Sequence, residues 1–524
     1  NTTMTFVLVV LLLLMQYSVG ERIVMLSPVA TRSHENIFNS VAKVLVADGH
    51  DVTMALPGIS RIDKVKYLDL SSVTKALTSN FLKTTFQQVF NGTSAREILS
   101  MVANDFNKMD YFVAEKCLEN EEILKLYKLP PKSFDLVIMS TFISLCALPL
   151  AHVQQVPLVL LSPSGLFHLT YSSLGNPDLP SISPSIFLDL SDKMSFTERF
   201  LNTLLQVLSS VLPSLITFPN FSTLFRNRTG LEVPSVPDLM KEASLVMSNT
   251  HYTLTYPRPL LPNFQEIGGI NCVPANPLPT DWEDFVAKDG RGFIFFSLGS
   301  SMPGHHLPNN KRDFMLSVFS RLPYQVVWKY DKPELMKNVP GNVKVTPWAP
   351  QQDLLGHPKI RLFITQGGML SIQEATYHGV PILGLPLFGD QFSNVRQVQN
   401  KGYGIMLEWD KVNEMSFLSA IQGITGDSGY GKVAKEMSKL FKDNPTTPQE
   451  KVSFWIKYIL RHKGANFIKS PGRNLTFYQY YLLDVFLFVF VAISLLYKII
   501  MELIWVICRR RKPVLNVENN KKKQ

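Results

Sequence analysis

Residues 363 to 391 read FITQGGMLSIQEATYHGVPILGLPLFGDQ. A buried-looking run ends at Thr365, Gln366-Gly367-Gly368 follows, and Met369 to His378 reads as a helix ended by Gly379. A second apolar run, Pro381 to Leu385, comes next. Strand, helix and strand with short joints form the repeating unit of a parallel sheet. Two glycines where a strand gives way to a helix let backbone amides approach an anion, because the first N–H groups of a helix are unpaired and its dipole favours negative charge. A tight turn accounts for the pair equally well. Glu374, two turns into the helix, is placed to accept hydroxyls near such an anion, and Asp390-Gln391 follows the next strand.

The same alternation extends in both directions. Phe293 to Leu298, Gln325 to Lys329, Val343 to Thr346, Arg361 to Thr365, Pro381 to Leu385 and Gly404 to Leu407 are strand candidates of one sheet. Trp348-Ala349-Pro350-Gln351 follows one of them and offers an indole face for a flat base. Nearer the N-terminus, Arg22 to Leu26 reads as a strand. Ser33 is the expected cap of a helix carrying Ile37, Val41, Val44 and Leu45 at helical spacing, with Gly49 as its stop and Val52 to Leu56 as the next strand. Phe134 to Met139 and Val156 to Leu161 extend that sheet. The spacing predicts two doubly wound α/β units, 21–256 and 281–475, joined by the proline-rich stretch 257–280 and facing a cleft at their strands' carboxyl ends. Pro163 to Pro237, rich in Ser, Pro and Phe, shows little period and is expected to hold loops and short helices around an apolar pocket, with ordinary helical packing as the alternative.

The chain has 524 residues, 46% of them hydrophobic, which exceeds one ordinary core and fills two domains. Of a net formal charge of +10, residues 509–524 carry +6. The basicity is a property of the tail and does not imply a groove for nucleic acid. Cys117, Cys146, Cys272 and Cys508 are too scattered to suggest a disulfide framework or a metal site, so stability is expected from burial. FVLVVLLLLM at 6–15, followed by Ser18-Val19-Gly20, reads as a cleaved signal peptide ending at residue 20, a short buried element being the alternative. Val485 to Cys508, interrupted only by Ser494, Lys498 and Glu502, predicts one transmembrane helix within 482–508, about 36 Å long at 1.5 Å per residue. Arg509 to Lys512 marks its cytosolic side, and the sequons at Asn91, Asn220, Asn227 and Asn474 all fall on the other. The terminal KKKQ is similar to the dilysine signal of the endoplasmic reticulum, so a membrane protein of that compartment with luminal domains is expected.

Together these stretches resemble the UDP-glycosyltransferase family, which includes the membrane-bound glucuronosyl- and glucosyltransferases of animals. The likeness runs through FSLGSS at 296–301, WAPQQDLLGHP at 348–358, the quoted motif, WIKYILRHKGA at 455–465, FYQYYLLDV at 477–485, the apolar span and the lysine tail. It implies a GT-B fold, two Rossmann-like domains facing a cleft, with an N-terminal acceptor domain and a C-terminal domain that holds a UDP-sugar without metal or other cofactor. Carried onto matching positions, Trp348 stacks on uracil and Gln351 helps fix it, while Glu374 takes the ribose hydroxyls. Ser297, Gly367, Gly368 and Ser371 surround the diphosphate, Gly299, Ser300 and Gln366 belong to the same donor-binding set, and Asp390 with Gln391 holds the sugar. Arg258, in Tyr256-Pro257-Arg258-Pro259, matches a position near the donor. His34 matches the catalytic histidine, the base that takes a proton from the acceptor hydroxyl; without the family it reads as a helix-end residue.

Two positions depart from the family pattern. Gln366 stands where many relatives have histidine, which resembles invertebrate glucosyltransferases. Ser140 stands where relatives have the aspartate that orients the histidine, and loss of such a carboxylate can cost several powers of ten in rate. Ser140 or Thr141 could orient the histidine without the charge, whereas Glu35 is too close in sequence to be counted as a substitute. The resemblance therefore implies inverting transfer of glucose or glucuronic acid to a small lipophilic hydroxyl or carboxyl, a conjugation or detoxification. The alternative, motivated by Ser140, is a non-catalytic member that binds a lipophilic ligand or a partner subunit. Acceptor, sugar and oligomeric state stay open.

Overall fold

The computed structural model describes residues 20–58, 61–82, 105–288, 290–300 and 302–510. The expected signal peptide before Gly20, the sequon at Asn91, Ser301 and the tail beyond Arg510 lie outside the described residues.

Up to Ser470 the chain is built on two parallel sheets. The first holds β1 (Arg22–Leu26), β2 (Asp51–Leu56), β3 (Val65–Asp69), β4 (Leu136–Ser140), β5 (Leu158–Ser162), β6 (Ala243–Ser248) and β7 (Phe264–Glu266), in the order β3-β2-β1-β4-β5-β6-β7. The second holds β8 (Phe293–Ser297), β9 (Gln325–Lys329), β10 (Val343–Thr346), β11 (Ile360–Thr365), β12 (Ile382–Gly384) and β13 (Gly404–Met406), in the order β10-β9-β8-β11-β12-β13. In β4, β5, β6 and β8 every residue is buried. Strands covered by helices on both faces read as unbroken apolar runs rather than alternating ones. In each sheet the order reverses beside the first strand, between β1 and β4 and between β8 and β11, and open sheets bind ligands beyond the carboxyl ends at such switch points.

Strand boundaries lie within two residues of expectation; β3, β6 and β7 were not anticipated. The most informative of these is β7. It falls inside the stretch expected to be a linker, yet it pairs with β6 and completes the first sheet.

Seven helices matter for the site: α1 (Arg32–Ala47), α2 (Phe106–Leu118), α3 (Phe196–Leu212), α4 (Phe218–Thr229), α5 (Met369–His378), α6 (Gln391–Asn400) and α7 (Pro448–Arg461). Ile37, Phe38, Val41, Ala42 and Leu45 bury one stripe of α1 against Ile23 and Met25 of β1. Its cap is Thr31, not Ser33. The cap residue keeps extended backbone just before the first helical one, and Ser33 already lies in the first turn, where its hydroxyl meets that of Thr31 at 2.7 Å.

Pro163 to Pro237 divides between the two readings: up to Ser195 it holds loops and one short helix, His168–Ser173, and beyond that come the longer helices α3 and α4, joined by a π-turn over Pro213–Thr217. The start of α3 was legible: Ser195 and Glu198 form a capping box, a four-residue Ser-x-x-Glu signature.

A second correction concerns the cysteines. Cys117, at the end of α2, is bonded to Cys146, just beyond β4, with Cα atoms 6.2 Å apart. Closing a loop of 29 residues removes unfolded-chain entropy worth about 3–4 kcal/mol. A third concerns the expected end of the second unit. Val452, Ile456 and Ile459 of α7 are buried in the core of the first sheet, beside Ile23, Phe38 and Val41, and Lys457 donates to Asp48 at 2.6 Å. The chain thus returns to the half where it began.

From Pro471 onward the structure is a separate unit. Its main element, α8 (Leu483–Arg510), has 28 residues, an 18-residue stretch of mean hydropathy 2.3 and no buried side chain. At 1.5 Å per residue it is about 42 Å long.

Candidate active site

The strand register prepares the site. Thr346, Lys329, Ser297, Thr365 and Gly384 are register partners across β10, β9, β8, β11 and β12, each at the carboxyl end of its strand. Loops leaving that row, with the first turn of α1 from the other half, line one cavity of about 2030 Å³.

On the N-terminal side, His34 occupies the first turn of α1 and lines the cavity. Its Nδ1 is buried with no hydrogen-bond partner, and burial lowers its pKa to about 4, so the imidazole is neutral at pH 7. The Phe142 ring packs against it edge-on, centroids 5.1 Å apart at 83°. Ser140 does not line the cavity. It is fully buried, and its Oγ accepts the N–H of Phe142 at 3.1 Å, so it fixes the loop that presents Phe142. Asp135 sits at the opposite end of the sheet, bonded to Arg22 through Nε at 3.0 Å and NH2 at 2.9 Å. Glu35 is fully buried and, like Thr141, is not among the cavity's walls. Phe106, Phe142, Phe167 and Phe187 supply aromatic wall, with Phe187 5.2 Å from Phe106 and stacked on Phe167 at 5.6 Å. No spacing rule singled these rings out, because they come from four separate segments.

On the C-terminal side, Gly368 precedes α5 without a side-chain cap, leaving the first N–H groups of that helix open toward the cavity. Gly367 is held at φ +88°, its N–H on Thr365 Oγ1 at 3.4 Å and its carbonyl accepting from Asn394 at 3.0 Å. Gln366 accepts the Thr365 hydroxyl at 3.0 Å and leans on Gly299, where a Cβ would fall 2.1 Å from its Nε2. Ser297 is buried; its Oγ accepts the Gly299 N–H at 3.2 Å and does not itself line the cavity, whereas Gly299 and Ser300 do. Glu374 accepts from Gln351 at 2.7 Å and from Asn271 at 3.0 Å, and burial raises its pKa to about 7. Gln351 also donates to Ser371 at 3.2 Å. Asp390 is pushed upward by burial and accepts from Asn394 at 3.0 Å, while the Gln391 carbonyl oxygen holds the N–H of Leu387 at 2.9 Å. Trp348 is 52% exposed at the cavity edge.

Arg258 is placed elsewhere. It is not part of the cavity wall; its guanidinium donates to the Tyr171 hydroxyl at 3.3 Å and lies 4.0 Å from Asp178 inside the N-terminal half. The stretch that carries it runs into β7, and pairing of β7 with β6 ties it to the edge of the first sheet. Conversely, Lys329 and Arg32 reach the cavity without having been singled out. Lys329 had one signal, a cation ending an otherwise apolar strand.

Two parallel sheets whose carboxyl ends share a cavity define the GT-B class of glycosyltransferases. The solved glycosyltransferase VinC in complex with DTDP has the same fold: the TM-score is 0.56 at 15% identity, covering 84% of this chain and 100% of that one. Residues 23–518 match the family described as "UDP-glucoronosyl and UDP-glucosyl transferase". The chain is similar to 2-hydroxyacylsphingosine 1-beta-galactosyltransferase of Rattus norvegicus, 32% identical over 501 residues, 94% of this chain and 90% of that one. It is also similar to UDP-glycosyltransferase UGT5 of Dactylopius coccus, 31% identical over 476 residues, 90% and 89% of the two chains. The chain belongs to the UDP-glucuronosyl and UDP-glucosyl transferase family.

Proposed function

We propose that this UDP-glycosyltransferase moves a neutral hexose from UDP to a hydroxyl of a flat, lipophilic acceptor. The observation that carries the reading is that His34 and the open amide end of α5 line one cavity. His34 takes the proton of the acceptor hydroxyl, and the freed oxygen pair forms the new bond to the anomeric carbon with inversion. The bond from that carbon to the UDP oxygen breaks, and UDP leaves with its electrons. Its charge faces the amides following Gly368 and the Lys329 ammonium, so the scheme is written without a metal. Trp348 and Gln351 seat the base, Glu374 the ribose, and Asp390 with Gln391 the sugar.

A neutral sugar is favoured over glucuronate because the residues that flank Asp390 along the chain and line the cavity, Phe388, Gly389, Gln391 and Phe392, include no cation, while Arg258 is engaged with Tyr171 near Asp178. The exposed Asn220 and Asn227 on α4, the apolar α8 and the arginines at its end support a single-pass protein with luminal domains.

The test is UDP release in microsomes, before and after detergent, with phenolic acceptors and UDP-glucose, UDP-galactose or UDP-glucuronate. Expected results are latency until detergent opens the vesicles, at least tenfold higher kcat/KM for a hexose, and a loss of about a thousandfold for His34→Ala. Equal rates for His34→Ala and wild type refute the catalytic assignment, and preference for UDP-glucuronate refutes the donor.

A further inference from the structure

Arg32 opens α1 two residues before His34, and its guanidinium lies 4.0 Å over the indole of Trp348, a residue of the opposite half. The Lys329 ammonium is 5.5 Å from the same ring and, among the described residues, donates only to the Gly299 carbonyl, at 3.2 Å. Among the described residues Arg32 has no ion pair or hydrogen bond; an indole face is what holds it. Burial lowers the pKa of Lys329, and the charge of Arg32 lowers it further. Two cations thus share one aromatic ring at the cavity edge, repelling each other. A guanidinium on an indole is a weaker arrangement than a guanidinium bonded to phosphate oxygens.

The proposed function requires a pyrimidine on that indole, at the stacking distance Arg32 now fills. The displaced guanidinium is tethered at the cavity rim, and the nearest anion of the same ligand is its diphosphate. We propose that Arg32 is a diphosphate-binding residue lent to the donor site by the acceptor half: the base displaces it from Trp348, and it then pairs with the phosphates beside Lys329. Arg32 and His34 share one helical turn, closed by the Glu35 N–H on the Thr31 carbonyl at 3.0 Å. Donor binding therefore also draws the base-bearing turn toward the anomeric carbon. The inference rests on the reading of Trp348 as the seat of the base.

Titration calorimetry of the full-length protein in detergent with uridine, UMP and UDP separates the possibilities. For Arg32→Ala the expected result is unchanged or tighter uridine binding and at least tenfold weaker UDP binding, with UMP between. Arg32→Lys recovers part of the UDP affinity, and Arg32→Gln, which keeps length without charge, does not. Unchanged or tighter UDP binding by Arg32→Ala overturns the proposal, leaving Arg32 a plug. Equal weakening of uridine and UDP also overturns it, because a stacking lid or a disordered first turn acts on the base. Trp348→Ala is the control for the underlying reading: if it binds uridine as wild type does, the base lies elsewhere and both inferences fall.

Discussion

At the scale of single residues, the histidine is the unusual feature. In a hydrogen-bonded triad a carboxylate fixes the tautomer and stabilises the imidazolium. Here the corresponding position, Ser140, spends its hydroxyl on the Phe142 N–H, and the phenyl edge, not a charge, packs against the ring. His34 is therefore held by packing and kept neutral by burial. Its protonated form appears only as pH falls through about 4, well below the usual 6.5. The acid limb of kcat/KM, which reports the free enzyme, is accordingly expected near pH 4. A limb near 6.5 in the measured pH profile would mean that a charged partner reaches the ring. The same shift acts on stability: between 6.5 and 4 the unfolded chain binds the extra proton, so His34 destabilises the fold as pH falls through that window.

At the scale of elements, the joint between β11 and α5 separates its two glycines. Gly367 has φ +88°, and a Cβ on it would lie 2.2 Å from Val395 Cγ2 of α6. Gly368 has an ordinary φ of −59°, and its nearest clash would be Gln366 Nε2 at 3.3 Å, the end of a side chain. Gly367→Ala is expected to destabilise by about 1–3 kcal/mol through backbone strain and to weaken UDP binding at least tenfold as α6 is displaced. Gly368→Ala should lower the urea midpoint far less. Similar midpoints for the two variants would contradict this assignment. Both glycines were visible in the sequence; which of them carries the strained backbone was not, since that depends on Val395, 28 positions later.

At the scale of the whole molecule, the two sheets are one folding unit because the chain crosses between them twice. The Gln373 amide donates to the Asn249 carbonyl at 2.8 Å and accepts the Gly269 N–H at 3.0 Å, Arg396 grips both oxygens of Asp189 through Nε and Nη2, and α7 is laid on α1. Ile456→Ala removes a fully buried side chain from the core of the first sheet and is expected to destabilise by about 2–5 kcal/mol. Hydrogen exchange should then quicken in α1, some four hundred positions away in sequence. If protection is lost only in α7 itself, the crossing adds nothing to the first sheet.

Local chemistry in the sequence determined the two parallel sheets, the apolar 28-residue helix and most of the cavity's donor wall. Periodicity, turn residues and polar groups at strand ends are properties of neighbouring positions, so a single chain displays them. Tertiary structure alone decided that Arg258 meets Tyr171, that Arg32 and Lys329 meet on Trp348, that Phe142 faces His34 and that Cys117 joins Cys146. Each of these is a meeting of segments separated by tens to hundreds of residues. Spacing along the chain holds no information about such meetings until the strand order of the sheets is set.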